Sequence, residues 1–245
     1  MITTIMFDLD GTLVHYDYDV FINAFLDSVA RKAAPLLEPK RFVQKLLEAT
    51  EAMITSLDDR TNMEVFWEHF PDGLGIPLGE LVPVLEQFYL EDFPKIQHML
   101  EVRPIPEARF LVERLIDKGY EVIIATNPVF PAIAIEERMR WGGIDELRYH
   151  LVTTYETSCY CKPNVEYYAE ILQNIGRSPH ECIMIGNNTC EDLVARDLGI
   201  QTYLLEDCLL DMGPFRREPH YRGSFADLVR FFESETFRTI ADYSL

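Results

Sequence analysis

Five short apolar runs, each nearly continuous, constrain the fold of this chain more than any other feature. Ile2 to Phe7 runs into Asp8-Leu9-Asp10-Gly11-Thr12, Tyr120 to Ala125 into Thr126-Asn127-Pro128, and Cys182 to Ile185 into Gly186-Asn187-Asn188. Leu151 to Thr154 and Gln201 to Leu205 complete the set. Unbroken apolar character, rather than alternation, suits strands buried on both faces of a parallel sheet. Helical spacing fills the gaps: Ala108, Leu111, Val112 and Leu115 before Gly119; Val165, Tyr168, Ala169 and Leu172 before Gly176; Leu193, Val194 and Leu198 before Gly199. A glycine just past a helix takes the left-handed conformation that stops it. Repeated helix–glycine–strand units predict an α/β fold, a Rossmann-like parallel sheet made of right-handed crossovers. In such sheets ligands gather outside the carboxyl ends of the strands, where the three polar segments fall.

The stretch 15–99 obeys a different rule. Phe21, Ala24, Phe25 and Ser28 share a helical face, as do Phe42, Val43, Leu46 and Leu47. Met63, Phe66, Trp67 and Phe70 suggest a third helix, and Leu81, Leu85, Phe88 and Tyr89 a fourth, with prolines and glycines between. Nothing here reads as a strand. The expected organisation is therefore an α/β core formed by 1–14 and 100–245, interrupted by an all-helical insertion at 15–99. The segment with Pro214, Pro219 and Gly223 leads to a last helix around Leu228, Val229, Phe231 and Phe232, expected to pack on the core.

The 245 residues carry 22 basic and 41 acidic side chains, a net charge of -19. Such an excess of carboxylates disfavours nucleic acid or an anionic membrane as the main partner. It is compatible with a small phosphorylated ligand, because one bound cation can invert the field inside a pocket. No apolar stretch is long enough to cross a bilayer, and the start lacks the features of a secretory signal, so a cytoplasmic location is expected. The odd number of cysteines, 5, then suggests reduced thiols.

Asp8-Leu9-Asp10-Gly11 places two carboxylates, one residue apart, at the tip of a buried strand and ahead of a turn. Like charges so close repel, so one takes a proton or a cation sits between them. Taken alone, the segment also reads as a turn capped by Asp8. A calcium loop of the EF-hand type fails for want of further oxygen ligands after Gly11.

In its motifs the chain resembles the haloacid dehalogenase-like hydrolase superfamily, in its helical-cap, phosphatase-like form. Asp8-Leu9-Asp10-Gly11-Thr12-Leu13 matches the first signature in full. Thr126, ending a strand, matches the second, and Lys162-Pro163 the third. The resemblance implies a magnesium-dependent phosphatase acting on a small phosphorylated metabolite, with 15–99 as its cap. It implies that Asp8 attacks phosphorus, that Asp10 serves as general acid and base, and that Thr126 and Lys162 complete the catalytic set. Gly11, Thr12, Thr126, Asn127 and Lys162 would bind the phosphoryl group. Asp8, the Asp10 carbonyl, Asn187 and Asp192 would hold Mg²⁺. An Asp rather than a Tyr at position 10 argues against haloacid dehalogenation.

The fourth signature departs from the family pattern. Gly186-Asn187-Asn188-Thr189-Cys190-Glu191-Asp192 carries amides where an acid is expected directly after the glycine. An Asn carbonyl can ligate a hard cation but brings no charge, so Mg²⁺ binding weaker than in relatives is expected. Two alternatives follow: a catalytically silent binding protein on the same fold, and a phosphoryl-transferring mutase. Arg31, Lys32, Lys40, Arg41, Lys45 and Arg60 are candidate cap contacts to substrate, and His15 and Tyr16 candidate pocket-lining residues. Cys161 and Cys190 flank the third and fourth signatures, where oxidation would inhibit.

Overall fold

The computed structural model describes residues 1–211, 217–234 and 236–238. The elements follow in the order β1 (Thr4–Phe7), β2 (Val14–His15), α1 (Tyr18–Ala33), α2 (Pro39–Thr55), α3 (Asn62–His69), α4 (Leu78–Gln87), β3 (Arg103–Pro104), α5 (Pro106–Asp117) and β4 (Glu121–Ile124). They continue with α6 (Ala132–Trp141), β5 (Leu151–Val152), α7 (Val165–Ile175), β6 (Cys182–Gly186), β7 (Gln201–Leu205), β8 (Tyr221–Gly223) and α8 (Phe225–Glu233).

Six strands of the described residues form one parallel sheet in the order β5-β4-β1-β6-β7-β8. All four residues of β1 are buried: Ile5 and Phe7 join the larger apolar cluster and Met6 the smaller one on the other face. Burial on both faces is what the unbroken apolar runs require. Strand order reverses at β1, which lies between β4 and β6. The crevice at such a switch point collects the polar ends of three adjacent strands. Asp8 follows β1, Thr126 lies just beyond β4, and Asn187 follows β6.

Four helices lie between β2 and β3, with no strand between them. Their apolar residues join the larger cluster, among them Phe21, Phe42, Phe66 and Leu85. The fourth helix runs on through a π turn at Phe88–Asp92 and a 3-10 segment at Phe93–Met99. The two chain segments leading into and out of this insertion pair as an antiparallel ribbon, Val14 with Pro104 and His15 with Arg103.

Several features escaped the sequence reading. The edge strand β8 and the ribbon β2–β3 are too short to leave a periodic signal. Helix α6 is hidden because Glu137 and Arg138 are buried in it, where polar residues ordinarily mark a solvent face. Glu137 accepts a hydrogen bond from the Trp141 indole at 3.0 Å, which offsets the burial of its carboxylate. The segment expected to form a helix from Leu193 is a 3-10 helix, Leu193–Leu198. Helix α8 spans the apolar run predicted for the last helix, whereas Pro214 lies outside the described residues.

Candidate active site

Asp8 leaves β1 with its amide hydrogen-bonded to the Ile185 carbonyl at 2.9 Å, and its carboxylate is largely buried. The Lys162 ammonium donates to Asp8 Oδ1 at 2.9 Å and to Asp192 Oδ1 at 2.7 Å. The other Asp192 oxygen accepts the Asn188 amide at 2.9 Å. Burial works against the Lys162 charge, but the two carboxylates outweigh it and hold the amine well above its ordinary range. Burial likewise raises Asp192, against the pull of Lys162. Gly186 makes this arrangement possible, because a Cβ there would collide with the Asp192 carboxylate.

The turn after Asp8 aims the second carboxylate. Gly11 adopts φ +78 and donates to the Val14 carbonyl at 2.8 Å. That conformation strains any residue with a Cβ, and a Cβ here would also strike Asn187 Nδ2. Asp10 is held at both oxygens: the Tyr16 hydroxyl donates to Oδ1 and the Arg138 guanidinium to Oδ2. Burial raises the Asp10 carboxyl, while Arg138 pulls it down and nearby Asp8 pushes it up. Arg138 is itself 1% exposed, with its guanidinium carbon 4.7 Å from the Phe130 ring centre and 5.7 Å from that of Phe21. Sequence reasoning named Tyr16 as a pocket residue but missed Arg138, whose one signal was the apolar spacing of Ala134, Ile135 and Met139 around it.

Asp8, Asp10, Gly11, Thr126, Asn127, Asn187 and Arg138 face one cavity of about 780 Å³. Its mouth carries Asp17, Asp19, Glu206 and Asp207, leaving Arg138 as the only cation among the described lining residues. Three expected site residues lie behind the cavity wall instead. Thr12 gives its hydroxyl to Asn187 Oδ1 at 3.1 Å and Asp8 Oδ2 at 3.4 Å and does not line the cavity. Lys162 is fully buried and pairs with Asp8 rather than lining the cavity. Asp192 accepts Lys162 at one oxygen and the Asn188 amide at the other, and it does not line the cavity. Asn127 clamps the lysine loop, accepting from the Lys162 amide at 3.2 Å and donating to its carbonyl at 3.3 Å.

The two asparagines of the fourth signature brace the loop. Asn187 Nδ2 donates to the Cys208 carbonyl at 2.6 Å. Asn188 Oδ1 accepts the amides of Cys190 and Glu191 at 2.9 and 3.2 Å. Glu191, on the cavity wall, is pushed up to about 7, chiefly by burial.

A family model described as haloacid dehalogenase-like hydrolase matches residues 5–205, a span that includes Asp8, Asp10, Thr126, Arg138, Lys162 and Asp192. The chain is a haloacid dehalogenase-like hydrolase. It is 27% identical over 221 residues to the glyceraldehyde 3-phosphate phosphatase of Methanothermobacter thermautotrophicus, covering 86% of this chain and 88% of that protein. It is 24% identical over 201 residues to the pyrophosphatase PpaX of Bacillus cereus, covering 82% of each. Its fold is similar to a predicted phosphoglycolate phosphatase of Haemophilus somnus, with a TM-score of 0.57, 18% identity and coverage of 94% and 97%. The L-2-haloacid dehalogenase of Xanthobacter autotrophicus is similar at a TM-score of 0.55 and 17% identity, covering 96% of this chain and 99% of that one.

Within this family, the expected cap contacts fall elsewhere. Lys32 pairs with Glu91 and Asp92 at 3.2 and 2.9 Å, Lys45 with Glu48 at 2.7 Å, and Arg60 with Asp58 at 2.8 Å. Neither these nor Arg31, Lys40 and Arg41 line the cavity. Cys161 is fully buried and its thiol is pushed up by burial, which closes it to an oxidant, whereas Cys190 is exposed.

The donor set around Asp8 fits a hard divalent cation in kind. Asp8 Oδ2 and Asn187 Oδ1 converge on one Thr12 hydroxyl, whose single proton cannot satisfy both oxygens. Both are oxygen donors, the type Mg²⁺ prefers, and only one of them is a carboxylate.

Proposed function

We propose that this chain is a magnesium-dependent phosphatase that hydrolyses a small phosphorylated metabolite through an aspartyl-phosphate on Asp8. The observation that carries the reading is the Asp8–Lys162–Asp192 array, with Asp8 and Asp10 both facing one cavity. The phosphatases among its relatives support the reaction class.

Lys162 holds one oxygen of Asp8 at 2.9 Å and so orients the carboxylate for attack on phosphorus. The P–O bond to the leaving group breaks as the Asp8–phosphorus bond forms, and Asp10 delivers its proton to the departing oxygen. An incoming phosphate dianion raises the proton affinity of Asp10 and counters the guanidinium of Arg138, so substrate itself helps to load the acid. Water then attacks phosphorus, gives a proton to Asp10 and releases inorganic phosphate and the Asp8 carboxylate. Tyr16 and Arg138 are positioning residues that fix the Asp10 carboxyl against the cavity. Thr126 and Asn127 form the wall that receives the phosphoryl oxygens. Asp8, the Asp10 carbonyl and Asn187 would hold Mg²⁺, which supplies positive charge to the phosphoryl oxygens when bound. The acidic mouth favours a substrate that arrives together with a cation.

Hydrolysis of p-nitrophenyl phosphate with Mg²⁺ tests the proposal, with loss of turnover expected in Asp8→Asn. Tight phosphate binding without turnover in the intact protein would turn the reading towards a silent binding protein. Isomerised sugar phosphate that retains its label would turn it towards a mutase.

A further inference from the structure

A second chamber of about 750 Å³ opens between the inserted helices and the loops beyond the strand ends. Ile22 and Leu26 of α1, Leu47 of α2, Met63 and Trp67 of α3 and Val82 of α4 form much of its wall. It meets the catalytic cavity at a shared boundary of Tyr18, Asn127, Val129, Phe130 and Glu191, which line both. A phosphate held at Asp8 therefore has a route by which its organic part can enter this chamber.

The chemistry of the chamber is one-sided. Its charged lining residues are Glu86, Glu156 and Glu191, and no Lys, Arg or His stands among the described ones. Glu156 already accepts the Ala132 amide at both oxygens, each at 3.0 Å. A second phosphate or carboxylate on the substrate would meet acids and no cation, and the hydroxyls of a sugar would face mostly hydrocarbon. Leu47, Leu78 and Leu90 are 49%, 46% and 65% exposed, and all three belong to this chamber. Large apolar side chains left wet along one concavity mark it as a place to cover.

We infer that the leaving group is an apolar alcohol or phenol, seated in this chamber while its phosphate lies against Asp8. The inference rests on the phosphatase reading above for the chemistry, but the chamber can be tested without turnover. Selectivity comes from burial: each methylene carried into the chamber strengthens binding about threefold to fourfold. Polar metabolites with a second anionic group are disfavoured for want of a partner.

Calorimetric titration with methyl-, butyl-, hexyl- and octylphosphonate reads the chamber directly, and acetyl phosphate hydrolysis reads the chemistry separately. Affinity should climb at least about two hundredfold from methyl- to hexylphosphonate. Thr50→Phe, which fills space at the chamber wall, and Leu47→Glu, at its exposed rim, should each lower hexylphosphonate affinity at least tenfold. Both should leave methylphosphonate binding and acetyl phosphate turnover unchanged. Affinity that stays flat with chain length, or survives both variants, overturns the inference even where acetyl phosphate is hydrolysed. Chain-length dependence without hydrolysis of any phosphate leaves the chamber assigned and refutes the enzyme instead.

Discussion

Arg138 carries its guanidinium to the Asp10 carboxylate across 128 positions of sequence, from a buried helix to the turn after the first strand. The contact joins the fixed charge of α6 to the proposed proton donor. Phe130 and Phe21 flank the guanidinium and restrict it, so Asp10 is oriented before any ligand arrives.

Tyr16 shares that duty, and its removal separates positioning from binding. Tyr16→Phe deletes the hydroxyl that donates to Asp10 Oδ1 while keeping the ring. Steady-state kinetics on p-nitrophenyl phosphate should show kcat lowered roughly tenfold to a hundredfold with KM little changed, the size expected when a general acid is misplaced. A change confined to KM would mean that Tyr16 touches substrate instead.

Lys162 balances two buried carboxylates, so its loss should damage the fold as well as the chemistry. Lys162→Met leaves Asp8 and Asp192 facing each other without a cation, a change that costs about 3–5 kcal/mol where a buried pair is broken. Adding Asp192→Asn should restore much of the urea stability and none of the activity. Equal stability of the single variant and the wild type would show that the ion pairs contribute little.

Asn187 sets the strength of the cation site. Titration calorimetry without phosphate should find Mg²⁺ binding in the millimolar range, and Asn187→Asp should tighten it about tenfold or more by adding a carboxylate. The same variant loses the hydrogen bond to the Cys208 carbonyl, so its melting temperature without Mg²⁺ should fall. Micromolar affinity in the unaltered protein would contradict this account.

Glu191 gives the protein a pH-dependent cost. Its carboxyl is raised to about 7 in the folded state, chiefly by burial, from an ordinary value of 4.5. Between those two values the folded state binds more protons than the unfolded one, so stability falls as pH rises through the window. Above pH 7 the full cost remains, at most roughly 3 kcal/mol. Glu191→Gln should therefore match the wild type near pH 4.5 and melt higher at pH 8. Identical melting curves at both pH values would exclude it.

The sheet was legible because its strands are buried on both faces, which writes an unbroken apolar run into the chain. Four insertion helices were legible through their apolar stripes, and Asp8, Asp10, Thr126, Asn127 and Asn187 through their places just past strand ends. The sequence by itself thus determined the α/β order, the helical interruption and the strand tips where chemistry is proposed. Tertiary structure alone decided which polar groups face one another: Arg138 against Asp10, Asp192 against Lys162, Thr12 behind the wall rather than on it. Periodicity reports the environment of a residue along its own element. A buried charge is stabilised by a partner from a distant element, and that pairing exists only after the sheet has brought the two together.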